Sequence, residues 1–236
     1  MTDQRPFHFR QFSLFHHRST MRIGTDAVLL GCWVEAKPGE VALDIGTGCG
    51  ILSLMLAQKG VAQVDAVDID PDSISEARIN FNASRWRERL QAIQSDITEF
   101  RTEKRYDLIV SNPPFFFQSS KCDTDRKSMA RHTDMTLSFD SLCEVVRRLL
   151  KPDGRFALVL PIKEYQAFWK VSEKMGFYLH KKMNIIPLEG REPNRVNIEL
   201  GMSSDPSPTF ETFTIRDADG RFTEEYHALV KAYYLG

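Results

Sequence analysis

The four residues Asn112-Pro113-Pro114-Phe115 could hold an amino group and a flat ring at one place. They directly follow the apolar run 106–110, which predicts a strand. Proline fixes φ and has no N–H, so this segment presents acceptors to a ligand. A residue before proline is extended, so we expect the Asn112 side chain and the Pro113 carbonyl to stay at a fixed separation that suits one NH2 group. Phe115 would supply the stacking face.

The chemistry that such a site favours is attack by an amine on an electrophile. The lone pair of an amino group on an aromatic base is delocalised, which makes the nitrogen a weak nucleophile. Two acceptors favour the more tetrahedral, electron-rich nitrogen that forms during attack, so their hydrogen bonds strengthen towards the transition state. The alternative is an Asn-Pro-Pro turn that closes a strand, with Phe115 as an ordinary core or loop aromatic.

A second motif, Asp44 with glycines 46, 48 and 50, has the pattern of a strand, a glycine loop and a helix. Because they have no side chain, Gly46, Gly48 and Gly50 let the backbone pass close to a ligand. The loop is not a dinucleotide fingerprint, because position 51, where that fingerprint has its third glycine, is Ile51. A carboxylate directly before the loop, at Asp44, suits a cationic ligand.

Acidic residues also lie at or directly after the ends of the next two predicted strands. Asp68 lies about 20 residues beyond the glycine loop, where doubly wound folds hydrogen-bond ribose hydroxyls, and Asp96 follows the short strand 90–94. Each acid alone could be a helix cap or a solvated loop residue. Asp44, Asp68 and Asp96 at three strand ends predict instead one pocket along one edge of a sheet.

Strand and helix patterns alternate along all 236 residues, which predicts one α/β domain spanning 1–236. Asp70-Pro71-Asp72 marks the start of a helix, and Thr223 is expected to cap the last one. The expected strands are 41–45, 64–70, 90–94, 106–111, 155–161, an antiparallel pair 181–187 and 195–202, and 211–216.

These motifs resemble the class I S-adenosylmethionine-dependent methyltransferases with an Asn-Pro-Pro-aromatic tetrad. The resemblance implies a doubly wound, mostly parallel, seven-stranded Rossmann-like sheet with an antiparallel terminal strand. It implies that 44–50 bind the amino acid part of the cofactor, that Asp68 takes the ribose hydroxyls and that Asp96 contacts the adenine. The residues implied to hold the substrate nitrogen are Asn112, Pro113, Pro114 and Phe115.

Phe12 and the segment 21–31, with the glycine loop and the tetrad, resemble the bacterial valine-tRNA adenine N6-methyltransferases. That resemblance implies a substrate base next to the anticodon, adenine 37, and places Thr25 and Asp26 beside the cofactor pocket. Rival activities are methylation of ribosomal RNA at guanine N2 or of protein glutamine at N5, although glutamine methyltransferases usually have tyrosine at the last tetrad position. A non-enzymatic alternative is an RNA-binding protein with a relict methyltransferase fold.

Charge is unevenly distributed in a chain whose net charge is only −1. The first 24 residues are basic and aromatic, so we expect segment 1–30 to line the cofactor and RNA sites, with Arg18 and Arg22 contacting phosphates. The alternative is that its phenylalanines pack a strand against the domain. The loop after the tetrad adds the candidate RNA contacts Lys121, Arg126 and Arg131, opposed by Asp123, Asp125 and Asp134.

Other compositional signals argue against several classes of protein. Four cysteines without C-x-x-C spacing and six scattered histidines predict no zinc site. The sequence has no signal peptide and no run of 18 apolar residues, so we expect a cytoplasmic protein without a membrane partner. The oligomeric state cannot be inferred from these patterns.

Overall fold

The fold is a mixed β-sheet with helices on both faces. The computed structural model describes residues 5–20, 22–113, 137–204 and 207–234. The strands are β1 (Phe7–His8), β2 (Ser13–Leu14), β3 (Val41–Ile45), β4 (Gln63–Asp68), β5 (Leu90–Gln94), β6 (Tyr106–Ser111), β7 (Leu150–Pro161), β8 (Tyr178–Ile186), β9 (Arg195–Gly201) and β10 (Thr209–Thr214). The helices are α1 (Thr25–Trp33), α2 (Ile51–Gln58), α3 (Pro71–Ala83), α4 (Phe139–Leu149), α5 (Ile162–Lys174) and α6 (Glu224–Val230), with a 3-10 turn at Arg87–Arg89.

The strand order β10-β8-β9-β7-β6-β3-β4-β5 confirms the predicted doubly wound, mostly parallel sheet. Strands β3 to β7 are parallel to one another, and β9 is antiparallel to both β7 and β8, as expected for the terminal pair. Within the described residues this sheet has eight strands, one more than the seven expected, because β10 pairs with β8 in parallel over six residues. The carboxyl ends of β3, β4, β5, β6 and β7 therefore meet along one edge. Because the resemblance predicts the cofactor there, we call it the cofactor edge.

Alternating side chains of the central strands divide the core between the two faces of the sheet. Leu43 and Ile109 pack in one cluster with α4 and α5, whereas Ala42 and Leu108 pack with α1 and α2 on the other face. Helices α3 and α6 belong to this second face, through Phe81 and other residues. Burial on both faces explains the near-continuous apolar character of the parallel strands.

Helix boundaries follow local capping chemistry. The Asp70 carboxylate accepts the Ser73 N–H at 2.7 Å and Pro71 is the first helical residue, which confirms the predicted start of α3. The Thr223 hydroxyl accepts the Tyr226 N–H at 3.0 Å, which confirms the predicted cap of α6. Strand β7 begins at Leu150, five residues before the expected Arg155, because Leu150 already pairs with Tyr106 of β6. The register of this pairing then shifts between Tyr106 and Leu108.

The segment 5–20, which we call the N-terminal strap, lies against α3. Phe9 and Phe12 are buried in the cluster of the second face, with ring centroids 4.7 Å apart. This confirms the packing interpretation for these two rings, whereas Phe7 remains 36% exposed. In the part of the chain that the structure describes, no helix combines the length and apolarity needed to cross a membrane.

Candidate functional site

Asp44 lies at the cofactor edge of β3 and is completely buried. Its Oδ2 accepts hydrogen bonds from the Thr47 and Ser53 hydroxyls, each at 2.7 Å. Its Oδ1 is also buried and has no hydrogen-bond partner among the described residues. Burial raises the pKa of Asp44 to about 6, against the opposing effect of the two hydroxyl donors, with a small further rise from Asp68. A buried acceptor without a partner is costly, so Oδ1 indicates a place for a ligand donor.

The glycine loop adopts a backbone that side chains rarely allow, with φ of 71° at Gly46, 54° at Gly48 and 88° at Gly50. A Cβ at Gly46 or Gly48 would have no heavy atom of the described residues within 4 Å, so these residues leave this side of the loop open to a ligand. At Gly50, a Cβ would clash with the Phe81 ring. The first two glycines thus leave room for a ligand, and the third lets α3 pack closely.

Asp68, the last residue of β4, connects this strand to the glycine loop by a hydrogen bond. Its Oδ2 accepts the Gly48 N–H at 2.8 Å and its Oδ1 accepts the Asp70 N–H at 3.0 Å. Burial raises the pKa of Asp68, although these backbone donors act in the opposite direction. Each carboxylate oxygen can accept a second bond, so a hydroxyl pair can still be bound there.

Ile69, directly after Asp68, was missed in the sequence analysis. Its side chain is 38% exposed at the cofactor edge, where an apolar surface suits the face of a base. The sequence signal was available, because Ile69 is an apolar residue between two acids beyond the last residue of the strand.

Asp96 is brought close to Asp68, because the Ser95 N–H donates to the Asp68 carbonyl at 3.0 Å. Its own Oδ1 accepts from the Thr98 N–H at 2.8 Å and the Thr98 hydroxyl at 2.7 Å. Asp96 therefore holds a local turn, and the three predicted strand-end acids lie along one edge of β3, β4 and β5.

Asn112 and Pro113 continue from β6 beside the end of β3. The Ser111 hydroxyl donates to the Ile45 carbonyl at 2.9 Å, so a side-chain hydrogen bond joins the ends of β6 and β3. The Asn112 Oδ1 atom is buried and without a hydrogen-bond partner among the described residues, and Pro113 is buried. Pro114 and Phe115 lie outside the described residues, as do Lys121, Arg126 and Arg131.

Thr25 and Asp26 form the first turn of α1, whose cap residue is Gly24. The Asp26 Oδ2 atom lies 2.8 Å from Nε of Arg195, at the start of β9 and opposite the carboxyl end of β7. The structure thus places Asp26 at the cofactor edge but gives its carboxylate an ion-pair partner that the sequence analysis missed.

The predicted RNA contacts Arg18 and Arg22 both have exposed side chains. The backbone beside Arg18 is held firmly, because the N–H groups of His17, Arg18 and Ser19 all donate to the Glu76 carboxylate at 2.7 to 3.0 Å. Arg18 therefore projects outward from a fixed backbone.

Two different acceptors therefore lie at the carboxyl ends of the neighbouring strands β3 and β6. Buried Asp44 suits an ammonium group, and the neutral Asn112 amide suits an NH2 group. Within the described ranges, no group of three or more histidine, cysteine or acidic side chains is arranged to hold a metal ion.

Comparison with known proteins gives concordant matches over nearly the whole chain. The family profile described as the methyltransferase small domain matches residues 15–167. The tRNA1(Val) (adenine(37)-N6)-methyltransferase of Phocaeicola vulgatus is 41% identical over 229 residues, which are 97% of either chain. The protein of that name in Tolumonas auensis is 40% identical over 97% of this chain and 96% of its own.

Solved structures support the fold. A predicted O-methyltransferase from Agrobacterium tumefaciens superposes with a TM-score of 0.65 over 88% of this chain and 96% of its own. At 15% identity this similarity bears on the fold alone.

Proposed function

Because the chain belongs to the tRNA1(Val) (adenine(37)-N6)-methyltransferase family, we propose that it methylates the N6 amine of adenine 37 in that tRNA. As a member of this family it is a methyltransferase that uses S-adenosylmethionine. The observation that carries the proposal is the buried Asn112 Oδ1 atom, which lacks a hydrogen-bond partner among the described residues at the end of β6. An exocyclic amine is the donor that this oxygen fits.

The cofactor would be held along the ends of β3, β4 and β5. In this proposal Asp44 attracts the amino acid portion, the backbone of Gly46 and Gly48 passes close to it, and Asp68 accepts from the ribose hydroxyls. Asp96 lies where the adenine would be bound. The open side of the loop and the unpartnered Asp44 oxygen support these assignments. We also propose that Gly50, Thr25 and Asp26 shape the cofactor pocket, with Asp26 acting through its ion pair to Arg195.

S-adenosylmethionine supplies a methyl group on a positively charged sulfur, so transfer to nitrogen requires no nucleophilic side chain. The residues of the chain therefore have to align the amine and exclude water. Asn112 would accept one N–H of the substrate amine and Pro113 the other, which favours the electron-rich nitrogen during attack. We propose that Pro114 keeps this backbone rigid and that Phe115 stacks on an adenine turned out of the RNA.

For the rest of the substrate, we propose that Arg18 and Arg22 contact phosphates near the anticodon loop, together with Lys121, Arg126 and Arg131. The outward projection of Arg18 from a backbone fixed by Glu76 supports its part in this. Residues 1–236 would act as one unit in the cytoplasm, where tRNA is found, with segment 1–30 lining both the cofactor and the RNA.

The experiment is methyl transfer from labelled S-adenosylmethionine to total tRNA taken from a strain that lacks this protein. Nucleoside mass spectrometry then identifies the modified base. We expect N6-methyladenosine. A product at guanine N2, or label only on ribosomal RNA or protein glutamine, would contradict the proposal and favour one of the rival activities. Absence of cofactor binding would favour the non-enzymatic alternative.

A further inference from the structure

We propose that a row of arginines on the outer surface of the strap and of the turn after α3 binds the phosphate backbone of the substrate tRNA away from the methylated base. This row, which we call the arginine track, consists of Arg10, Arg18, Arg85, Arg87 and Arg89. The inference rests on the proposed function, and it adds a second contact surface on the same RNA.

The strap and α3 form one continuous surface, because hydrogen bonds join them along their length. Near the cofactor edge, the strap donates three backbone N–H groups to Glu76. Further along, the Phe15 N–H donates to Asn80 Oδ1 and the Asn80 amide donates back to the Phe15 carbonyl, both at 2.8 Å. Phe12 then packs edge-on against Trp86, with ring centroids 6.0 Å apart.

The track joins the two segments at the far end of α3. Arg85 contacts Gln11 of the strap through a side-chain hydrogen bond, and its guanidinium lies 4.9 Å from the centre of the Trp86 ring. Arg10 is the strap residue next to Gln11, and its Nε donates to the Tyr234 carbonyl at 2.7 Å. These contacts limit the entropy that the arginines would lose on binding an anion.

The charge of this surface is strongly one-sided. The strap and Arg22 supply four arginines and no acidic residue, and residues 84–89 supply three arginines against one acid, Glu88. The chain as a whole has a net charge of −1, so the imbalance is local. On α3, Glu76 is 2% exposed and already accepts from the strap backbone, whereas Asp72 in the first turn is exposed.

Few charges of the arginine track are neutralised within the part of the chain that the structure describes. Arg87 pairs with Glu88 at 3.0 Å, but both side chains are mostly exposed, so the pair contributes little. Among the described residues, no carboxylate forms an ion pair with Arg10, Arg18, Arg85 or Arg89. Exposed guanidinium groups without acidic partners favour a polyanion as the occupant.

The dimensions of the surface fit a nucleic acid better than a single small anion. Helix α3 has 13 residues and so spans about 20 Å, from the cofactor edge near Asp70 to Arg85. A nucleic acid duplex of that length carries on the order of ten phosphate charges. An RNA with its target base at the cofactor edge can therefore meet both ends of the track with one stem.

The test compares wild type with the triple variant Arg85→Gln, Arg87→Gln, Arg89→Gln. A matched control replaces three exposed cations on the opposite face of the sheet, as Arg147→Gln, Lys170→Gln, Lys174→Gln. A second triple variant, Arg85→Lys, Arg87→Lys, Arg89→Lys, keeps the charge. Binding of purified tRNA is measured from 50 to 200 mM salt, and methyl transfer is measured separately in the same preparations.

We expect the glutamine triple to bind tRNA more weakly and to lower the slope of log affinity against log salt by roughly 2 to 3, the loss of three phosphate contacts. KM for tRNA should rise while turnover at saturating tRNA and cofactor affinity are retained. The lysine triple and the opposite-face control should keep the wild-type slope. An unchanged salt slope in the glutamine triple variant, or an equal loss of tRNA affinity in the opposite-face control, would contradict the proposal that the arginine track binds tRNA.

Failure of the track and failure of the proposed function give different results. If wild type methylates adenine 37 but the glutamine triple binds tRNA as wild type does, only the track is wrong. If wild type binds tRNA through the track but forms no N6-methyladenosine, only the proposed reaction is wrong. Binding to anionic lipid vesicles with no affinity for tRNA would overturn both.

Discussion

Asp44 is the last residue but one of β3, and Asn112 directly follows β6, the parallel strand that is hydrogen-bonded to β3. Each keeps one buried oxygen without a partner among the described residues. The two oxygens differ in chemistry, because one belongs to an ionisable carboxylate and the other to a neutral amide. A carboxylate favours a cationic donor, whereas a neutral amide oxygen accepts a hydrogen bond without adding charge. In the proposed function, this difference separates the cofactor end of the site from the end that would hold the substrate amine.

Replacing Asn112 with alanine tests the role of the amide. Removal of an acceptor that acts mainly in the transition state should lower kcat on the order of 100- to 1,000-fold while the cofactor Kd stays near that of wild type. Steady-state kinetics and calorimetry measure the two. Asn82→Ala, at an exposed position of α3, is the control and should be neutral. Near-normal turnover of Asn112→Ala would contradict the proposed grip.

Cofactor affinity should depend on pH through Asp44, whose pKa is raised by burial to about 6. Above that pH the carboxylate is ionised and attracts the ammonium group of the cofactor. As pH falls through about 6 the carboxylate gains a proton and the affinity falls, by at most about tenfold per pH unit. Asp44→Asn should bind weakly with little pH dependence. Equal wild-type Kd values at pH 5 and pH 8 would disprove this role.

Gly50→Ala and Gly60→Ala separate backbone strain from a steric clash. Both glycines have positive φ, 88° and 97°, so each substitution should cost about 1 to 2 kcal/mol of unfolding free energy. Only at position 50 does the new Cβ lie against the Phe81 ring, whereas at position 60 the nearest atom is 3.6 Å away in Pro38. Denaturant unfolding should show a larger loss for Gly50→Ala, with weaker cofactor binding, and equal losses would refute the close-packing role.

Glu76 should anchor the strap in a pH-dependent way. Burial alone would raise the pKa of Glu76, but the N–H donors of Arg18, Ser19 and His17 outweigh it and hold the pKa below its ordinary value of 4.5. The stabilisation is therefore complete above pH 4.5 and is lost as pH falls through the lowered folded-state pKa. Glu76→Gln should cost roughly 1 to 3 kcal/mol at neutral pH.

The measurement for Glu76 is urea unfolding at pH 7 and at pH 4. Wild type should lose more stability between these values than Glu76→Gln, while Glu173→Gln, an exposed carboxylate of α5, should follow wild type. An acid dependence of Glu76→Gln as steep as that of wild type would show that the strap is held by other contacts.

Local signals in the sequence were sufficient for the strand ends of the site. Alternation of apolar segments with glycine or acidic residues located Asp44, Asp68 and Asp96, and each lies where its strand was expected to end. These features depend on neighbours within a few residues, so the sequence alone can predict them.

Long-range pairing could not be predicted in this way. Asp26 pairs with Arg195, which is 169 residues away in the sequence. The backbone N–H groups of the strap that donate to Glu76 are 57 to 59 residues away from it in the sequence. The pairing of β10 beside β8 likewise depends on which sheet edge is open after the rest of the sheet has formed. No pattern within one segment specifies its partner, so these contacts emerged only from the folded chain.

The most direct test of the central claim is single-turnover methyl transfer to two tRNA1(Val) transcripts that differ only at position 37. One carries adenosine and the other carries purine riboside, which lacks the exocyclic amine. We expect N6-methyladenosine at position 37 of the first transcript and no methyl transfer to the second. Equal labelling of both transcripts, or label at any other position of the first, would contradict the assignment of this chain as an adenine-37 N6-methyltransferase.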